Sequence, residues 1–198
     1  MTTQQELIDT AKRISGYVHQ TPVLTSESIN EIFGASIYLK CENFQKMGAF
    51  KMRGATNAIL SLSIKERDLG VVTHSSGNFA QAVALAAKKT GTKATIVMPT
   101  SAPEIKKKAV LGYGAAVIDC APTQEAREQA AAKVQEETGS VFLHPSNQIE
   151  VINGNATAAM ELMEQVDPLD AIFTPVGGGG LLAGTALAAF HFGEKTSI

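Results

Sequence analysis

The sequence predicts an α/β fold in which parallel strands alternate with helices that cover both faces of a sheet. Three observations carry the prediction. Short apolar runs recur along the chain, each long enough for a buried strand and too short for a helix. Segments with helical periodicity lie between them, so the order is strand, helix, strand, helix throughout. The connections are short and polar, and no Gly/Ser or Pro linker, internal repeat or low-complexity tract interrupts them.

The elements follow in order. The N-terminal "MTTQQELIDTAKRISG" has the pattern of a polar amphipathic helix rather than of a signal peptide. A first strand is read at 36–42 ("SIYLKCE"), with a helix over about 53–63 behind it. The strand at 70–76 ("GVVTHSS") leads into a helix at 78–90, and that at 93–99 ("KATIVMP") into one at 102–111. The strand at 115–120 ("AAVIDC") leads to a helix at 123–138, and that at 140–145 ("SVFLHP") to one at 150–165. The last strand, 171–177 ("AIFTPVG"), runs into a helix at 180–191. Parallel neighbours joined in this way take right-handed crossovers.

Composition excludes several classes of function. With 198 residues, 44% of them hydrophobic and 18% charged, the chain can bury a sizeable core. A net charge of -2 and a pI near 6.1 leave no basic footprint for nucleic acid or an anionic membrane surface. No apolar run approaches the roughly 20 residues of a bilayer span. Cys41 and Cys120 lack any CxxC spacing, and His19, His74, His144 and His191 are scattered, so neither a disulfide framework nor a metal site is expected. Small-molecule chemistry in the cytoplasm is the expectation. The charged run "EIKKKA" (104–109) reads as a solvated helix face.

In open α/β sheets the ligand sits at the carboxyl ends of strands, where loops lead into helices. Three such junctions are unusual. In "PVGGGGLLAG" (175–184), four consecutive glycines, Gly177, Gly178, Gly179 and Gly180, carry more backbone entropy than a plain turn needs. A helix beginning near Leu181 then presents bare N–H groups at its positive end, which suits a phosphate. The run is neither a P-loop nor a dinucleotide fingerprint, since no Gly-Lys-Ser/Thr and no acidic residue at the required spacing follows. In "SSGN", Ser75, Ser76, Gly77 and Asn78 are ordinary cap and turn residues, yet together they offer N–H groups, two hydroxyls and an amide to an anion such as a carboxylate. Lys51 stands directly after Phe50 and two residues before Arg53 at a helix entry. A lysine that forms a Schiff base needs a depressed pKa; Phe50 can supply an apolar wall and Arg53, pointing inward, a nearby cation.

The segments "GAFKMRGA" (48–55), "SSGNFAQA" (75–82) and "PVGGGGLLAG" (175–184), in this order, resemble the serine racemase and serine/threonine dehydratase family of fold type II pyridoxal-phosphate enzymes, whose fold is tryptophan synthase β-like. The resemblance runs from about "HQTPVLTS" (19–26) to the end. It implies that Lys51 carries pyridoxal 5'-phosphate as a Schiff base and, once freed, acts as base on one face of the substrate Cα. It also implies that Phe50 lies against the cofactor ring and that Asn78 bonds its 3-hydroxyl. Ser75, Ser76, Gly77 and Asn78 hold the substrate carboxylate, and Gly177 to Gly180 with the Leu181 N–H hold the phosphate. Ser76 takes the place of the acid/base on the opposite face in racemases, where many threonine dehydratases have alanine.

The implied activity is deamination of L-serine or L-threonine to a 2-oxo acid and ammonia, with serine racemisation at the same centre. Two other readings stand beside it: a catalytically silent fragment that binds cofactor or partners only, and a β-replacement enzyme such as cysteine synthase. Against the latter, such enzymes carry a Thr-Ser-Gly-Asn-Thr loop, and Phe50, Met52 and Phe79 do not fit them. This chain departs from its own family too. Phe79 stands where many relatives have histidine, and Asn155 and Ala156 replace two residues of a Gly-Gln-Gly-Thr pattern. The "HPSN" segment (144–147) aligns with one that contacts substrate in relatives, with altered composition.

Family members run longer by about half or more, in keeping with two-domain α/β chains. The expectation is therefore a truncated chain. The absent part would supply the hydroxyl partner of the pyridine nitrogen, further strands, and the acidic residues of a divalent-cation (Mg) site. The expected division is a small open-sheet domain over 65–147 and a large, incomplete cofactor-binding domain over 1–64 and 148–198. Its open sheet edge favours a homo-oligomer.

Overall fold

The computed structural model describes residues 2–166, 168–193 and 196–198. Met1, Asp167, Glu194 and Lys195, which fall within the expected large domain, lie outside the described residues.

The centre is a four-stranded sheet of β3 (Val71–His74), β4 (Ala94–Pro99), β5 (Ala116–Cys120) and β6 (Val141–Phe142). Its order is β5-β4-β3-β6 and every pair is parallel, with Val71 opposite both Ala94 and Val141. Alternation along the strands feeds two layers. Val71, Ile96, Met98 and Leu143 enter a core shared with α3 (Lys51–Leu60) and α5 (Asn78–Thr90). Val72 and Val97 turn the other way and meet Ala131 and Val134 of α7 (Gln124–Thr138). A helix, α6 (Glu104–Gly112), joins β4 to β5.

Around this unit stand α1 (Gln4–Ile14), α8 (Ile149–Gln165) and α9 (Gly180–Phe192), whose core includes Leu7, Ala156, Met160, Ile172 and Ala188. The α8–α9 and α3–α8 crossings bring backbone against backbone. A Cβ on Gly184 would sit 2.7 Å from the Ala156 nitrogen, and one on Gly154 would sit 2.6 Å from the Arg53 carbonyl. Only glycine permits such approaches.

The α/β class and the parallel sheet agree with the sequence reading, and two strands differ from it. Over 36–42 only β2 (Leu39–Lys40) forms, and it pairs antiparallel with β1 (Val23–Leu24) in a separate two-stranded sheet. Over 171–177 there is a single parallel bridge, Ala171 to Ser197, with Phe173 94% exposed. An apolar run becomes a strand only where a neighbour supplies hydrogen bonds, and among the described residues this one has none beyond that bridge. Two short helices, α2 (Glu27–Phe33) and α4 (Ile64–Leu69), were not expected. No helix among the described residues is long and apolar enough to cross a membrane.

Candidate functional site

Lys51 is the first residue of α3, half-buried, at the end of a chain segment shaped by two single-turn 3-10 helices, Glu42–Phe44 and Lys46–Gly48. Buried Gln45 fixes that segment. Its amide oxygen accepts from His19 N at 2.8 Å and from Lys46 N at 2.9 Å, and its Nε2 donates to the His19 carbonyl at 2.8 Å. Met47 then takes a left-handed conformation, φ 58°, rare for a residue with a Cβ.

The Lys51 ammonium donates to the Pro145 carbonyl at 2.7 Å. It lies 5.2 Å from the centre of the Phe50 ring and 5.6 Å from that of Phe79. Burial pushes its pKa below the ordinary 10.5, so the neutral, nucleophilic amine is easier to reach. Phe50 thus stands where the sequence placed it, and Phe79 joins it as a second wall that sequence reasoning left without a role. Its signal was an aromatic residue opening a helix directly after "SSGN".

Arg53 does not act as the expected cation. It is fully buried, and its guanidinium forks onto two carboxylates: Nε and Nη2 reach Glu42 at 2.8 Å, and Nη1 and Nη2 reach Glu161 at 2.7 and 2.8 Å. Lys40 adds a second cation on Glu161 at 2.8 Å. The Arg53 charge is neutralised in this cluster, and burial is what lowers Lys51.

The glycine run reaches Lys51 through the loop between β6 and α8. A Cβ on Gly178 would stand 2.5 Å from the Ser146 Oγ, and one on Gly180 would stand 2.9 Å from the Ser146 carbonyl, the residue after the one that accepts from Lys51. Gly179 has φ 80°, which turns the chain into α9. Gly177 and Gly178 are exposed, Gly179 and Leu181 half-buried and Gly180 buried. The helix starts around this point lack side-chain caps. Phe50, Gly77 and Gly179, preceding α3, α5 and α9, offer no cap hydrogen bond, as is also the case at α2, α6 and α8, whereas Thr3, Ser63 and Thr123 cap α1, α4 and α7. Ser75 and Ser76 are half-buried, Ser75 Oγ accepts from Gly77 N at 3.2 Å, and Asn78 is exposed at the start of α5. The first turn of α3 is closed on itself, with Met52 N donating to the Ala49 carbonyl at 3.2 Å and Arg53 N to the Phe50 carbonyl at 2.9 Å; the starts of α5 and α9 are the ones that can offer N–H groups to an anion.

The first turn of α5, the Lys51 amine, the Pro145–Ser146 loop and a glycine stretch in which Gly178 and Gly180 have no room for a Cβ therefore adjoin one another. A model of the family described as "Pyridoxal-phosphate dependent enzyme" matches residues 14–197. The chain belongs to this family. Serine racemase of Dictyostelium discoideum is 51% identical over 187 residues, covering 94% of this chain and 58% of that protein. L-threo-3-hydroxyaspartate ammonia-lyase of Saccharomyces cerevisiae is 50% identical over 187 residues, covering 94% and 57%. The crystal structure of the Dictyostelium racemase superposes with a TM-score of 0.92 at 51% identity, over 95% of this chain and 61% of that one. This family member thus spans about three fifths of the length of the relatives it matches.

The residues present fit pyridoxal phosphate: a partly desolvated lysine, aromatic walls, and a glycine cradle leading into an uncapped helix.

Proposed function

We propose that this family member acts on small β-hydroxy amino acids, deaminating L-serine or L-threonine to the 2-oxo acid and ammonia and racemising serine at the same centre. One observation carries the reading. Lys51 is the lysine whose amine is partly desolvated, walled by Phe50 and Phe79 and held at the Pro145 carbonyl beside the glycine run. The similarity to a serine racemase and a hydroxyaspartate ammonia-lyase supports the substrate class.

Pyridoxal phosphate, when bound, supplies the electron sink that makes the substrate Cα acidic. Lys51 would hold it, Phe50 would lie along its ring, and Asn78 would bond its 3-hydroxyl. Gly177, Gly178, Gly179, Gly180 and the Leu181 N–H would take the phosphate, where N–H groups at a helix start favour negative charge. Ser75, Ser76 and Gly77, with Asn78, would grip the substrate carboxylate. Lys51 then accepts the Cα proton on one face, and the Ser76 hydroxyl returns one on the other to invert the centre. Departure of the β-hydroxyl as water after that first transfer leads instead to a free enamino acid, which takes up one water and releases ammonia to give the 2-oxo acid.

The two-part division, 65–147 against 1–64 and 148–198, and self-association belong to the same proposal. No group of three His, Cys, Asp or Glu among the described residues is placed to hold a metal. The test is borohydride reduction of the protein with pyridoxal phosphate, followed by mass spectrometry, then assay of L-serine turnover. A single adduct at Lys51 supports the reading; label spread over surface lysines overturns it.

A further inference from the structure

We propose that His144 is a positioning residue: its unprotonated Nδ1 holds the 145–147 turn in the shape that presents the Pro145 carbonyl to Lys51 and Ser146 to the glycine run. The inference rests on the reading of Lys51 as the cofactor-bearing lysine.

It starts from the backbone donors of the β6–α8 connection. Four residues, His144 to Asn147, run outside any helix or strand, so their N–H groups have no ladder to join. Pro145 has none. The other three are all taken by side chains of the same short segment. His144 N donates to the Gln148 Oε1 at 3.0 Å, and the Ser146 and Asn147 N–H groups both converge on the His144 Nδ1, at 3.1 and 2.7 Å. This is the arrangement an Asn or Asp side chain makes in an Asx turn, executed here by an imidazole. A nitrogen that accepts two N–H bonds carries no hydrogen, so the ring proton sits on Nε2. Protonating Nδ1 would set an N–H against two others and release both amides at once.

What the turn holds is the site itself. Pro145 lies between the His144 ring and the amides it binds, and its carbonyl is the acceptor 2.7 Å from the Lys51 ammonium. The next residue, Ser146, is the wall against which Gly178 and Gly180 pack. Loosening the turn therefore moves the lysine's anchor and the cradle's floor together. The ionisable groups around His144 are Lys51 of α3, through the Pro145 carbonyl, and His74 of β3, across the Phe142 ring, whose centroid is 6.3 Å from His144 and 5.2 Å from His74. Arg127 and Glu128 of α7 act on His74.

The substitutions H144N and H144A separate the outcomes. Asparagine keeps an acceptor at the δ position; alanine removes it. Amide hydrogen exchange at Ser146 and Asn147 reads the turn without any cofactor. Protection should fall about fivefold to tenfold in H144A, the effect of one lost hydrogen bond, and stay near wild type in H144N. Half-saturation of borohydride labelling of Lys51 by pyridoxal phosphate, at one fixed pH, reads the site. It should rise about fivefold to tenfold in H144A and stay near wild type in H144N. Equal half-saturation in wild type and H144A, or wild-type amide protection in H144A, overturns the proposal. Should H144A fail to fold, H144F, which keeps a ring but offers no acceptor, takes its place and the same outcomes decide. If wild type takes no label at Lys51, the cofactor reading fails, and the amide protection still determines whether His144 holds the turn.

Discussion

Replacing Arg53 by methionine tests whether the charge cluster under Lys51 is a closed unit. The guanidinium is fully buried, while the Glu42 and Glu161 side chains are 16% and 18% exposed. Besides its four bonds to them, it donates to Thr157 Oγ1 at 3.2 Å and to the His19 carbonyl at 3.3 Å. Methionine occupies much of the same volume but leaves two carboxylates facing each other, with Lys40 serving Glu161 alone. Removing one partner of a buried ion pair costs about 3–5 kcal/mol because the other charge stays behind. Since Lys40 remains, the lower part of that range applies, about 3–4 kcal/mol. With a urea dependence of about 2 kcal/mol per molar, the unfolding midpoint should drop by about 1.5–2 M. Equilibrium urea titration followed by far-ultraviolet circular dichroism measures it. Adding Glu42→Gln and Glu161→Gln to Arg53→Met removes the stranded charges and should recover part of the loss. A drop under about 0.5 M in the single variant, or a triple variant no more stable than the single, would refute the reasoning.

The same cluster predicts a pH dependence. Burial alone would raise the Glu161 pKa, but hydrogen bonds and charge from Arg53, then from Lys40, outweigh it and hold the carboxyl below its ordinary 4.5. A folded pKa below the unfolded one stabilises the protein above the unfolded value, and that contribution is lost as pH falls through the folded one. The urea midpoint of wild type should therefore decline on acidification more than that of Glu161→Gln; parallel declines would contradict the assignment. Burial depresses Lys51, so its borohydride labelling by pyridoxal phosphate should reach a plateau at lower pH than that of a free lysine peptide titrating near 10.5. A plateau no lower than the peptide's would mean that the amine is solvated. Gly180→Ala would push a Cβ to 2.9 Å from the Ser146 carbonyl and 3.0 Å from its Cα, both backbone atoms. Strain of about 1–3 kcal/mol is partly offset by the ~0.5–1 kcal/mol that alanine gains over glycine in a helix. Half-saturation of Lys51 labelling should rise about tenfold while the melting temperature moves by only a few degrees; unchanged half-saturation would take Gly180 out of the cradle.

The sheet was legible because its strands are β-branched runs closed by Gly, Pro or Ser, and because each has a neighbour to pair with. The run at 171–177 has the same composition and pairs only at Ala171, since residue types do not encode the presence of a partner strand. Helices α2 and α4 escaped for a different reason: neither buries a residue, so neither carries an apolar stripe. The α4 start was nonetheless written in the sequence, as the Ser63 and Glu66 capping box. At the site, Lys51 stood out through its aromatic neighbour. Its acceptor, the Pro145 carbonyl, could not, because a backbone oxygen has no residue-type signature. Arg53 was misread for want of its partners, Glu42 and Glu161, which lie 11 and 108 residues away.

The site draws its pieces from the starts of four helices, α3, α5, α8 and α9, and the way α3, α8 and α9 touch sets the distance between lysine and cradle. Lys51 opens α3, the glycine run opens α9, and the His144–Gln148 turn opens α8. Helices that meet through side chains can slide by rotamer change; those that meet through backbone cannot. The α8 helix meets both partners through backbone: Gly154 lies on the Arg53 carbonyl and the Gly54 Cα, and Gly184 lies on the Ile152 carbonyl and the Ala156 nitrogen. The Arg53 fork onto Glu161 then pins α3 to α8 a second time, two turns further along α8. Between lysine and cradle lies the short turn at the head of α8, and there every backbone donor from His144 to Asn147 is held by a side chain of the turn itself. With the helices fixed against one another by backbone contacts, the carbonyl that meets Lys51 follows the turn that the His144 Nδ1 closes by accepting from Ser146 and Asn147.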